Sequence, residues 1–319
     1  MVESLGLIVI GLLGLFFGGD ALVKGAARLA NAIGVSPLVV GLTVVAIGTS
    51  VPELLVSLDA ASKGFSGVAL GNVIGSNVAN IALILGVTAI ILPLTIEWSL
   101  LRREIPYMIV VSILTYLLAL DGSLGRTDGI ILFAGFIFFM VASIVIANRQ
   151  RAQMAAEMTE FEIEEGILPK QGIQPGIEIV RLLLGLVGLA LGAQWTVDGA
   201  VGIARGFGIS DFIIGVTIVA VGTSLPELTA SVMGAVRKEN DIAVGNVVGS
   251  NISNLLAILG LTAILQPIPV PEAVLGRDFL IMIGFALALL PFLFHNVMGR
   301  RVGLLYLIGY MVFVVITLT

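Results

Sequence analysis

Residues 41–57 read GLTVVAIGTSVPELLVS, and residues 215–231 read GVTIVAVGTSLPELTAS. The two stretches lie 174 positions apart, and the match continues beyond them. At the same offset GNVIGSNVANIALILGVTAI (71–90) lies on GNVVGSNISNLLAILGLTAI (245–264). Across 41–90 and 215–264, 26 of 50 positions are identical without a gap. Further out, Gly11 pairs with Gly185, Gly25 with Gly199, Pro93 with Pro267 and Arg103 with Arg277. Apolar bias alone cannot place Pro, Glu and Asn at one fixed offset, so the chain is a duplicated unit.

The surroundings are those of a membrane protein. Apolar residues make up 58% of the chain and charged residues 12%, about half the charge of an ordinary soluble domain. Uncharged apolar runs of bilayer-crossing length predict spans at 5–28, 37–62, 68–92, 104–120, 127–147, 177–202, 212–236, 241–265, 279–294 and 301–318. The fold expected is therefore all-α and integral to the membrane, with ten transmembrane helices. The domains are a five-span repeat at 1–147, a linker at 148–176 and a second five-span repeat at 177–319. Five is odd, so the second repeat enters from the opposite side, and the repeats are inverted. Loops on the side of the termini hold Lys63, Arg126, Arg205 and Arg277; the other twelve Lys and Arg fall on the linker side. The positive-inside rule then puts the linker in the cytoplasm and both termini outside the plasma membrane.

Gly-Thr-Ser-x-Pro-Glu, at 48–53 and 222–227, sits inside the second span of each repeat. A charged residue in a span costs roughly 2.5–3.5 kcal/mol on insertion scales, and intramembrane acids mark ion pathways. Here the cost is taken twice, at Glu53 and Glu227. Pro52 and Pro226 have no N–H, so the carbonyls of Gly48 and Gly222 lose their helical partners. The carbonyls of Ala46 and Ala220 are next in line to turn from the axis. Helical spacing sets Thr49 and Ser50 near Glu53, and Thr223 and Ser224 near Glu227. The third spans add a ladder of Asn72, Ser76 and Asn80, copied as Asn246, Ser250 and Asn254. Ser, Thr and Asn also tie membrane helices together, so the ladder alone is ambiguous; the glutamates are not.

Every candidate ligand is an oxygen. That suits Ca2+, with its 6–8 oxygen ligands, and Na+; Mg2+ demands a stricter octahedron. Soft metals are excluded, since there is no cysteine and one histidine. Two ionised glutamates balance one Ca2+, and protons or Na+ both work as counter-ions by charge.

At these residues the sequence resembles the Ca2+:cation antiporter superfamily, and within it the prokaryotic Na+/Ca2+ exchangers with two inverted α-repeats. The resemblance implies alternating access, with Ca2+ and Na+ as the transported ions. It implies Glu53 and Glu227 on the central Ca2+ and on Na+, completed by Asn80 and Asn254. It also implies that Thr49, Ser50, Ser76, Thr223, Ser224 and Ser250, with the Ala46 and Ala220 carbonyls, line adjoining Na+ sites. Asn254 replaces an Asp found in some members, including K+-dependent ones. The Gly-Asn-x-x-Glu pattern of H+-coupled relatives is absent at both glutamates.

Other classes fit poorly. There is no phosphate-binding G-x-x-x-x-G-K-[ST] and no H-E-x-x-H, and no basic stretch for nucleic acid. The expectation is therefore no enzyme, cofactor, nucleotide, nucleic acid or protein partner; the environment is the lipid bilayer. Asp20–Lys24 and Asp59–Lys63 have the spacing of intrahelical ion pairs. Asp198 has no evident partner.

Overall fold

The computed structural model of the protein describes residues 2–165, 174–208 and 220–318. The first half holds α1 (Val2–Ile33), α2 (Pro37–Thr49), α3 (Val51–Ser62), α4 (Ser66–Ile91), α5 (Leu100–Asp121) and α6 (Arg126–Glu165). The second holds α7 (Pro175–Gly206), α8 (Ala220–Thr223), α9 (Leu225–Val236), α10 (Asn240–Leu265), α11 (Val274–Phe292) and α12 (Arg300–Leu318). Eight of these stretches are long and apolar enough to cross a membrane, and the bent pair α2–α3 makes a ninth. The first part of the expected span 212–236 falls in 209–219, outside the described residues. The ten expected spans thus compare with nine candidates among the described residues plus the shorter apolar helix α9.

Helix is the expected answer for such sequences, because lipid offers backbone N–H and C=O groups no partner. Three helices outrun their expected length. α1 and α7 have 32 residues each, about 48 Å at 1.5 Å per residue, against about 30 Å of hydrocarbon. α6 does not stop at 147 but runs to Glu165, so residues 148–165 of the expected linker continue the helix. The reason is composition. RQRAQMAAEM is polar but built from strong helix formers, and hydropathy registers only the loss of apolar character. Residues 166–173 of the linker lie outside the described set.

The halves face each other through repeat-related contacts. Gly11 of α1 abuts Gly192 and Thr196 of α7, Gly18 abuts Gly185 and Leu189, and Gly25 abuts Glu178 and Leu182. Numbers rise along one helix as they fall along the other, so α1 and its copy α7 run antiparallel. The approach is backbone to backbone; a methyl group at Gly18 would lie 2.7 Å from the Leu189 nitrogen. Small residues permit this in membrane helices, where close packing replaces the hydrophobic effect.

Two short ladders join the halves again. β1 (Leu94–Thr95) pairs antiparallel with β4 (Val297–Met298), and β2 (Ser123–Leu124) with β3 (Ile268–Pro269). Leu94 faces Met298 while Ile268 faces Leu124, which is one pairing written twice under the 174-residue offset. Gly86 meets Gly303 and Gly260 meets Gly129 in the same reciprocal way. The main core is shared too, with Leu42, Ile81 and Ile84 clustering with Ile252, Leu255 and Leu259.

The intrahelical ion pairs form as the spacing predicts, Lys24–Asp20 at 2.8 Å and Lys63–Asp59 at 2.6 Å. Asp20 also binds Arg237 at the end of α9, a contact across the repeats that spacing could not reveal. Asp198 is exposed on α7.

Candidate ion-binding site

Each glutamate opens a helix. The chain breaks at Ser50 (φ −84, ψ 6) and at Ser224 (φ −89, ψ 5), with Pro52 and Pro226 in the first turn that follows. Across the first break the axis bends by 42°. Glu53 and Glu227 are therefore third residues of α3 and α9, where first-turn N–H groups lack helical partners and the helix dipole favours an anion. Sequence reasoning placed the freed carbonyls here but missed this second effect of the proline.

Glu53 and Glu227 are each 1% exposed. Ser50 Oγ donates to Glu227 Oε1 at 3.1 Å. Thr49 Oγ1 lies 3.1 Å from Asn246 Oδ1 and 3.3 Å from the Ala46 carbonyl, and Ser250 Oγ lies 3.4 Å from that carbonyl. The first repeat's break is thus gathered with the second repeat's third span. Ser76, Thr223 and Ser224 line a cavity of about 440 Å³, together with Asn72, Gly71 and Gly75. Ala220, the first described residue of α8, stands at the position matching Ala46 in the other repeat.

The ladder splits into two uses. Asn72 Nδ2 donates to the Glu53 carbonyl and to Ser57 Oγ; Asn246 Nδ2 does the same to the Glu227 carbonyl and Ser231 Oγ. These asparagines fix the glutamate helices onto α4 and α10. Asn80 and Asn254 behave differently. Both lie on a π-helical turn, Ala79–Ile84 and Asn254–Ile258, which re-aims side chains relative to an α-helix. Asn80 Nδ2 donates to Asn251 Oδ1 at 3.0 Å, and Asn254 Nδ2 to Asn77 Oδ1 at 3.2 Å. Asn77 and Asn251 in turn point their amides at Met282 and Met108.

Sequence reasoning missed Asn77 and Asn251 as partners. Their signal was present, since both belong to the repeated Gly-Ser-Asn, but they lie off the four-residue ladder. They matter because they occupy the amide N–H groups of Asn80 and Asn254 and so turn the two Oδ1 atoms inward.

Four buried side-chain oxygens at this centre have no hydrogen-bond donor: Glu53 Oε2, Glu227 Oε2, Asn80 Oδ1 and Asn254 Oδ1. They form two repeat-related pairs. Buried acceptors without donors are rare and costly. Two carboxylate and two amide oxygens, all buried and without donors, are the kind of oxygen set a hard cation would satisfy.

The family model for sodium/calcium exchanger proteins matches residues 3–145 and 177–319. The chain belongs to the sodium/calcium exchanger protein family. It is 33% identical to the sodium/calcium exchanger MaX1 of Methanosarcina acetivorans over 97% of each chain. It is 37% identical to the inner membrane protein YrbG of Escherichia coli over 98% of this chain and 96% of that one. With the putative antiporter CaxA of Alkalimonas amylolytica it shares 41% over 89% of this chain and 87% of that one.

Among solved structures, the sodium-calcium exchanger NCX_Mj soaked with zero Na+ and Ca2+ covers all of this exchanger-family chain at 32% identity, and 99% of NCX_Mj is covered (TM-score 0.84). The same protein soaked with 10 mM Na+ and zero Ca2+ matches 98% of this chain and 97% of that one (TM-score 0.83). The protein is thus a multi-pass, helical membrane transporter of the exchanger family. No group of three or more acidic, His or Cys side chains suited to a metal occurs among the described residues.

Proposed function

We propose that the protein is a secondary antiporter that exchanges Ca2+ for Na+ by alternating access. The four donorless oxygens of Glu53, Glu227, Asn80 and Asn254 carry the reading. In the proposal Ca2+ sits among them, neutralised by the two carboxylates. Na+ uses the same glutamates with Thr49, Ser50, Ser76, Thr223, Ser224 and Ser250 and the carbonyls of Ala46 and Ala220. Two ionised glutamates cannot share this buried centre with little charge to offset them, so one cargo set has to leave as the other arrives. The names of MaX1 and NCX_Mj support the choice of ions.

The architecture proposed is ten spans in two inverted repeats, 1–147 and 177–319, joined at 148–176. The antiparallel α1 and α7 and the reciprocal ladders support it. With the linker in the cytoplasm, the 440 Å³ cavity opens outward. It reaches the surface beside exposed Gly67, Pro271 and Thr317, near the expected outer loops. On the opposite face Gly245 and Gly249 pack against Leu38, Leu42 and Ala46, which supports a closed inner approach.

The test is 45Ca2+ uptake into proteoliposomes loaded with Na+, with H+ and K+ gradients imposed separately. The expected result is uptake that requires the outward Na+ gradient. Uptake driven only by a proton gradient would replace Na+ by H+ and leave the site. Uptake indifferent to every gradient would describe a channel and overturn the exchange mechanism.

A further inference from the structure

The cavity wall carries an acid that the ion centre does not use. Asp278 lines the 440 Å³ cavity among Val274, Tyr310, Phe313 and Thr317, on the way to Ser76, Thr223 and Ser224. It is 8% exposed. Its partner Arg277 donates Nε to Oδ1 at 2.8 Å and Nη1 to the Ile316 carbonyl at 3.0 Å. Arg277 Nη2 also reaches Oδ2 at 3.4 Å, so the guanidinium holds both carboxylate oxygens and is tied toward the end of α12, while the residue Asp278 itself lines the cavity.

The other repeat holds the same device. Glu104 stands 174 positions earlier, after Arg103 instead of Arg277. It is 6% exposed, and Arg103 Nε lies 2.8 Å from both of its oxygens. Both acids end a π-helical turn, Leu100–Glu104 and Val274–Asp278, at the start of their span.

A simple structural ion pair at a membrane edge would gain by facing water, where desolvation is cheapest. Both acids are instead buried, and Asp278 lines the cavity. Ionisable groups so placed in membrane proteins face ion pathways, and an acid in a low-dielectric cleft raises the local cation concentration.

We infer that Asp278 and Glu104 are entry-path residues, one for each face of the membrane, that draw Ca2+ and Na+ toward the central site without belonging to it. Asp278 serves the face now open. Glu104 serves the opposite face once the inner approach opens. The inference rests on the exchange reading above.

The test uses right-side-out and inside-out membrane vesicles and the initial rate of 45Ca2+ uptake against Ca2+ concentration. Asp278→Asn is expected to raise the half-saturating Ca2+ roughly three- to tenfold when Ca2+ is offered on the face of the termini, a fraction of full electrostatic steering. On the linker face the variant should match wild type, and the maximal rate should hold on both. Glu104→Gln should give the reverse. The shift should shrink with added N-methylglucamine chloride, and Asp278→Glu should restore the wild-type value.

If Asp278→Asn folds poorly because it strands Arg277, the R277Q/D278N double variant removes both charges and carries the same expectation. Equal shifts on both faces overturn the inference. So does a lower maximal rate with unchanged half-saturation, or failure of Asp278→Glu to restore. A wild-type protein that moves no Ca2+ overturns the exchange reading instead.

Discussion

α4 and α10 carry nearly the same sequence, GNVIGSNVAN and GNVVGSNISN, yet sit in different surroundings. In α4, Gly71 is exposed, Asn72 is half-buried and both line the cavity with Gly75. In α10, Gly245, Asn246 and Gly249 are buried, and a methyl group on Gly249 would lie 2.7 Å from Ala46 Cβ. Among the described residues, identical residues thus line an open wall in one half and a packed one in the other; 212–219, the copy of the segment that covers α10, lies outside the described residues. The difference lies in packing, which an exchanger would reverse, while the oxygens at the centre keep their pairing in both halves.

The largest effects should come where the halves agree. Glu53→Gln and Glu227→Gln should each cut Ca2+ transport by more than about 100-fold, the upper range for losing merely a supporting partner of a metal ligand. Both proteins should still insert and fold. Wild-type transport in either folded variant would remove that glutamate from the site and break the symmetry of the centre. Asn254→Asp adds a third acid and should tighten Ca2+ binding about tenfold or alter its competition with Na+, with Asn80→Asp behaving similarly. Unchanged ion dependence in both variants would count against the amide oxygens as ligands.

Smaller effects should appear where the halves differ. Gly249→Ala meets backbone and Ala46 and should lower stability by about 1–3 kcal/mol, the usual range for overpacking. Gly75→Ala faces the cavity and should change stability little, but it should slow transport because the same glycine must pack tightly when that face closes. Thermal unfolding and initial rates read the two effects separately. Equal destabilisation would deny that the two walls differ.

The smallest effect is expected at Asp20–Arg237, since Gln194 and Lys63 stand at the copied positions. Arg237→Gln removes this one partly exposed ion pair, leaves Lys24–Asp20 in place and should cost about 0–1 kcal/mol. A loss well beyond that in the unfolding midpoint would make the pair a principal tie between repeats.

Much of this was legible in the sequence because a duplication multiplies every signal. One Gly-Thr-Ser-x-Pro-Glu is ambiguous; two at one offset, each in an apolar run, fix the acids, the helix breaks and the relation between halves. Hydropathy located most spans because lipid imposes length on helices. It failed at α6, where helix propensity carries on after apolar character ends. The proposed site was half legible. Ser, Thr and Asn at helical spacing marked a face, but the π-turns at Ala79 and Asn254 rotate that face. Asn72 and Asn246 thus became braces, and Asn77 and Asn251 became the partners that aim the central amides. Asp278 and Glu104 were invisible as pathway residues, since an Arg-acid pair near a predicted helix end reads as an ordinary surface ion pair.

In the proposed mechanism two acids and two amide oxygens form one cation centre for which Ca2+ and Na+ compete. Equilibrium 45Ca2+ binding to the purified protein, titrated with Na+, tests it most directly. The expected result is saturable binding that Na+ displaces cooperatively and that the paired change Glu53→Gln with Glu227→Gln abolishes. Ca2+ binding that survives loss of both carboxylates, or that Na+ leaves untouched, would contradict it.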